Sequence, residues 1–185
     1  MKEVKNYLDS LTKTLDLINQ NEIYKLRDKF IETRDKGGQI FVFGNGGSGS
    51  TASHMVCDIL KGCSYGHEKK YKILCLNDNI PTILAYANDV SYDEVFLEQL
   101  KNYANSGDLV IGISGSGNSI NVLKAIKFAN EINCETVSLT GFNGGHLNSL
   151  TSIKLNVPVS DMQITEDAHV IIMHILYKLL NNSND

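Results

Sequence analysis

Two glycine-serine loops constrain this chain more than any other feature. GNGGSGS (44–50) follows the apolar run QIFVF (39–43), and SGSGNS (114–119) follows DLVIGI (108–113). After each loop the pattern turns helical, to about residue 61 in the first case and over 118–130 in the second. Further apolar runs at 71–76, 135–139 and 152–157 read as strands, short helices fill the stretch up to residue 103, and 166–180 reads as a final helix. Strands that are apolar throughout, alternating with helices, predict an α/β fold: a five-stranded parallel sheet covered on both faces.

Ahead of the sheet, Leu8, Leu11, Leu15 and Ile18, then Ile23, Leu26, Phe30 and Ile31, recur at helical spacing. A break at Asn19 to Asn21 splits this stretch into a helical pair. With 185 residues and no linker, the expectation is one domain, 1–36 supplying the helices and 37–185 the α/β core. The formal charge is −4, from 17 Lys plus Arg and 21 Asp plus Glu. Nucleic-acid affinity comes mostly from clustered Lys and Arg, so no nucleic-acid partner is expected. Cys57, Cys63, Cys75 and Cys134 form no CxxC pair, which fits reduced thiols in the cytoplasm. The charged N-terminus lacks the apolar core of a signal peptide. The apolar stretch 170–180 is broken by His174 and Lys178 and falls short of the roughly 18–20 residues that a membrane span requires, so no membrane partner is expected.

The second loop is good chemistry for a phosphate monoester. Gly115 and Gly117 let backbone N–H groups converge, Ser114, Ser116 and Ser119 add donors, and the helix that follows adds a favourable dipole. No Lys ends the loop, so it is not a nucleotide P-loop. The alternative is a plain Ser/Gly turn capping the helix at Asn118 or Ser119. The first loop carries Gly44-x-Gly46-x-x-Gly49, a match to the dinucleotide fingerprint. That reading needs an acidic residue closing the next strand, and Asp78 lies 34 residues past Gly44, farther than usual. No nucleotide cofactor is expected.

GNGGS, ISGSGNS and the Asn88–Asp89 pair inside ILAYANDVSYDEVF together resemble the sugar isomerase (SIS) domain family, and within it the phosphoheptose isomerases. The resemblance spans nearly the whole chain. It implies an aldose–ketose isomerase that interconverts sedoheptulose 7-phosphate and a heptose 7-phosphate by proton transfer through an enediol(ate). It places sugar contacts on Asn45, Gly46, Gly47, Asn88 and Asp89, and the phosphate grip on Ser114, Gly115, Ser116 and Ser119. It also implies a homotetramer with active sites between subunits and, in many members, zinc.

Two helices carry ligand-type side chains. His54 and Asp58 are spaced i, i+4 and share a face. On the final helix, Glu166 and His174 stand about 80° apart around the axis and about 12 Å apart along it, while His169 and His174 are about 140° apart. The resemblance selects Glu166 with His174 and leaves His169 outside. It implies a metal set of His54, Asp58, Glu166 and His174, with Glu166 also facing the substrate, Asp58 as catalytic base and His174 as catalytic acid. The family's own set reads His, Glu, Gln, His, so the two middle positions depart from it. The alternative is a surface pair on one helix and a core histidine on the other. A second functional reading is a non-catalytic SIS protein, a sugar-phosphate sensor or protein adaptor.

Overall fold

A side chain in a strand points to the face opposite that of its neighbours, and the strands here use both faces. In the first strand, Ile40 and Val42 pack with one core, Phe41 and Phe43 with the other. The computed structural model describes residues 2–182. Residues 1 and 183–185, at the ends of the expected domain, lie outside the described residues. In order the elements are α1 (Lys2–Leu15), α2 (Gln20–Asp35), β1 (Gln39–Gly44), α3 (Gly47–Gly62), β2 (Lys72–Cys75), α4 (Ile80–Asp89), a 3-10 turn (Tyr92–Glu94), α5 (Leu97–Tyr103), β3 (Leu109–Ser114), α6 (Ile120–Glu131), β4 (Glu135–Gly141), α7 (Leu147–Leu150), β5 (Ile153–Val157) and α8 (Met162–Asn182). All strands pair in parallel, in the order β2-β1-β3-β4-β5.

Helices α2, α3 and α8 cover one face. Phe30, Met55, Ile59, Ile172 and Leu176 pack there against Val42, Leu109, Ile111 and Leu139. Helices α5, α6 and α7 cover the other, where Phe96, Leu100, Val122, Ile126 and Leu147 meet Phe41, Phe43 and Val110. Phe43 and Phe96 stack with ring centroids 4.9 Å apart. Each such side chain contributes about 1.5–3 kcal/mol by leaving water. Gly112 lets α6 approach β3: a Cβ there would lie 2.9 Å from Val122 Cγ1.

The break in the N-terminal pair is a cap, with Asn19 Oδ1 accepting the Asn21 N–H at 3.1 Å. Helix α1 lies against α8, and the Tyr7 hydroxyl donates to Asp167 Oδ2 at 2.7 Å. That hydrogen bond pushes the Tyr7 hydroxyl up to about 12. Thr14 is the buried residue of α1, whereas Val4 and Leu8 are exposed.

Two helices start about four residues earlier than the sequence reading places them. Helix α8 begins at Met162 rather than 166, because Asp161 Oδ1 accepts the Ile164 N–H at 3.1 Å and starts it earlier. Helix α3 begins at Gly47, inside the first glycine-serine stretch, so Ser48 to Ser50 are already helical. None of the four cysteines forms a disulfide. No helix among the described residues is long and apolar enough to cross a membrane.

Candidate active site

The strand order places a crevice at the right point. From β1 the chain moves out to β2, then crosses to β3 on the other side, so α3 and α6 cover opposite faces. Beyond the carboxyl ends of β1 and β3 the loops part, and open sheets of this kind bind ligands there. A cleft of about 290 Å³ lies at that position. The β1 loop lines it with Asn45, Gly46, Gly47 and Ser48, the β3 loop with Ser114, Gly115, Ser116 and Ser119, and α8 adds Met162 and Glu166.

The hydroxyls of the second loop are not used up on the helix. Ser119 holds the N-cap position of α6 but makes no side-chain capping bond. Its Oγ lies 3.0 Å from Ser114 Oγ. Ser116 Oγ accepts the Asn118 N–H at 3.2 Å, which leaves its own O–H for a ligand. Ser114, Ser116 and Ser119 all line the cleft, and Ser119 leaves α6 without a side-chain cap, which a plain capping turn would not do.

Asn45 ties the first loop to α6 and to the 3-10 turn. Its Nδ2 donates to Asn121 Oδ1, and its Oδ1 accepts from Asn121 Nδ2 and from the Tyr92 hydroxyl, each at 2.9 Å. Asn77 does the same for β2, donating from Nδ2 to the Gly44 carbonyl at 2.7 Å and accepting the Gly44 N–H at 3.2 Å. Asn88 and Asp89 are exposed at the end of α4, bonded to one another at 2.7 Å, and do not line the cleft of their own chain.

His54, Asp58 and His174 converge. Each offers a ligand atom within 4.8 Å of the others. Asp58 Oδ2 lies 3.5 Å from His54 Nε2 and 3.7 Å from His174 Nε2. The two imidazoles meet edge to face, centroids 5.1 Å apart at 79°. The i, i+4 spacing on α3 supplies two members, and α8 packs against α3 to bring the third. The alternative of a helix-surface pair and a separate core histidine does not describe this arrangement, since His174 is exposed beside the pair. Two imidazoles and a carboxylate suit a divalent metal such as zinc.

Glu166, expected as a fourth ligand, is not among the converging groups. It sits about two turns before His174, and its carboxylate faces Gly47 in the cleft. A Cβ at Gly47 would lie 2.6 Å from Glu166 Oε1. His169 points elsewhere: it is fully buried, with Nε2 3.1 Å from the Thr140 carbonyl and Nδ1 without a partner among the described residues. Burial pushes its imidazole down to about 4. Sequence reasoning missed Ser48, Met162, Tyr92 and Asn121. Ser48 could have been found as the last residue of GNGGS; the other three join through the tertiary fold, without a local signal.

The SIS domain family matches residues 2–141 of the chain. The phosphoheptose isomerase of Helicobacter pylori is 37% identical over 175 residues, covering 95% of this chain and 90% of that protein. That of Aliarcobacter butzleri is 34% identical over 182 residues, covering 98% and 95%. The fold of a phosphoheptose isomerase from Neisseria gonorrhoeae superposes with a TM-score of 0.90, at 24% identity and over 98% of each chain. Matched over residues 2–141 and, almost end to end, by relatives more than 30% identical, the chain belongs to the SIS domain family, among the phosphoheptose isomerases.

Proposed function

We propose that the protein interconverts the ketose and aldose forms of a heptose 7-phosphate, with sedoheptulose 7-phosphate as the ketose. The convergence of His54, Asp58 and His174 beside a serine-lined cleft carries this reading. The phosphate sits on Ser114, Gly115, Ser116 and Ser119 at the start of α6, where converging donors and the helix dipole favour an anion. The sugar extends past Gly46 and Gly47 toward Glu166, whose carboxylate accepts hydroxyl hydrogens. Asn45 holds its loop in place and offers one remaining N–H.

Asp58 takes the proton from the carbon beside the carbonyl and returns it to the neighbouring carbon. His174 donates to and accepts from the two sugar oxygens as the enediol(ate) forms and collapses. His54, Asp58 and His174 also suit a divalent cation, zinc by donor type, which when bound would supply Lewis-acid polarisation of a carbonyl. A carboxylate engaged by a cation is a weaker base, so the two roles of Asp58 compete. Mixing the protein with a panel of ketose phosphates and following aldose formation tests the activity. The alternative role as a sensor or adaptor would show binding without turnover.

The assembly reading is a cytoplasmic homotetramer of single-domain chains, 1–185, with shared active sites. An apolar groove of about 350 Å³ between the end of α1, the start of α2 and α8 supports it, lined by Leu15, Ile18, Ile23, Tyr24, Ile171 and Ile175. Sites shared between subunits also give a place to Asn88 and Asp89, which stand outside the cleft of their own chain. Light scattering should report four chains, and Ile175→Glu should release smaller species. A monodisperse monomer at micromolar concentration would contradict the tetramer.

A further inference from the structure

We propose that His146 is a positioning residue that holds the phosphate loop in shape through Asn118, and so sets affinity for the phosphate end of the substrate. This rests on the phosphate reading of 114–119.

The loop lies directly on the turn that follows β4. Gly117 has φ +67°, and a Cβ there would run into the Gly144 carbonyl. Gly145 has φ +53°, and a Cβ there would lie 2.6 Å from the carbonyl oxygens of both Ser116 and Gly117. Backbone bonds fix two points: the Gly141 N–H donates to the Gly115 carbonyl at 2.8 Å, and the Leu147 N–H to the Gly117 carbonyl at 2.9 Å. Ser116, which offers a donor to the cleft, is held differently. Asn118 grips it twice, its Nδ2 donating to the Ser116 carbonyl at 3.0 Å and its backbone N–H to Ser116 Oγ at 3.2 Å.

Asn118 is itself held by His146. Its Oδ1 receives the His146 backbone N–H at 3.0 Å and the ring Nδ1 at 2.7 Å. The bond from Nδ2 to the Ser116 carbonyl fixes which end of the amide is oxygen. An amide oxygen only accepts, so Nδ1 of His146 carries the proton. The relay then runs in one direction, from His146 to Asn118 to Ser116. Both relay residues are exposed, so the fold does not depend on burying the ring.

Without the ring, Asn118 keeps the backbone donor alone and Ser116 loses part of its restraint. The group at His54, Asp58 and His174 is untouched. His146→Ala should therefore weaken inorganic phosphate, measured by calorimetry, by about three- to tenfold, the scale of one ordinary hydrogen bond. KM for the sugar phosphate should rise by the same factor while kcat stays within about twofold. His146→Asn places an amide N–H where Nδ1 was and should restore both. Ser119→Ala and Ser116→Ala separate the two layers. If Ser119→Ala and Ser116→Ala both leave phosphate binding unchanged, the phosphate reading fails and the relay with it. If either weakens phosphate but His146→Ala binds like the wild type, the relay alone fails. It also fails if His146→Asn is as impaired as His146→Ala.

Discussion

The carboxylate of Glu166 occupies the space in front of Gly47: a Cβ at residue 47 would lie 2.6 Å from Oε1 and 2.7 Å from Oε2. The clash is with the far end of a flexible side chain, so the protein would relieve it by swinging the carboxylate away. Alanine in place of glycine in a helical turn is favourable by up to about 1 kcal/mol. Gly47→Ala should therefore leave the melting temperature unchanged or slightly raised while cutting kcat/KM by about tenfold or more, since an ångström of misplacement can cost a hundredfold. Full activity in Gly47→Ala would mean that Glu166 does not touch substrate.

On the proposed phosphate reading, Ser116 and Ser119 each offer a neutral hydroxyl to a charged phosphate. Removing one such donor should cost about 1.5–3 kcal/mol of sugar-phosphate binding. Equilibrium binding to Ser116→Ala and Ser119→Ala reads this directly, and unchanged affinity in both would remove the phosphate from this loop.

The histidine-aspartate group and Glu166 should separate in metal binding. Calorimetric titration with zinc should weaken by at least about tenfold for Asp58→Asn or His54→Ala, since even a partner that only orients a metal ligand is worth about ten- to a hundredfold. Glu166→Gln should change it by less than about threefold, because Glu166 is outside the converging group. An equal loss in Asp58→Asn and Glu166→Gln would restore the four-ligand set that the resemblance implies.

His169 gives the stability a pH signature. Burial lowers its imidazole from 6.5 to about 4, so between those values the unfolded chain binds the proton more readily. Its contribution is complete above pH 6.5 and is lost as pH falls toward 4, for a total of about 3 kcal/mol. The carboxylates of Glu32 and Asp35, held down by hydrogen bonds to neighbouring cations, keep their contributions above about pH 4.5 and lose them only as pH falls further. Denaturant melts between pH 7 and 5 should show falling stability in the wild type. The slope should be flatter in His169→Gln, whose amide can still donate to the Thr140 carbonyl. Parallel slopes would place the titration elsewhere.

What could be read from the chain alone follows from where the information sits. The strands and their order of appearance were legible because QIFVF and DLVIGI are apolar throughout, as a strand covered on both faces requires. The two loops were legible because glycine and serine in that position have a specific use. His54 and Asp58 were legible as a helical i, i+4 pair. The approach of His174 depends on α8 packing against α3, and only the family resemblance selected it. The start of α8 was missed because a single aspartate, Asp161, makes the cap. Tyr92 and Asn121 were missed because their partner Asn45 lies 47 and 76 residues away in sequence. The resemblance implies both a metal and a substrate role for Glu166, and the carboxylate faces Gly47 in the cleft, a contact that no spacing rule encodes.

Asp58 as the group that moves the proton is tested most directly by following sedoheptulose 7-phosphate in D2O by NMR, with wild type and Asp58→Asn side by side. The wild type should convert ketose to aldose. Asp58→Asn should still bind the sugar phosphate yet convert it at least about a hundredfold more slowly, the usual worth of a positioned general base. Turnover by Asp58→Asn at the wild-type rate, or binding without any conversion by the wild type, would contradict it.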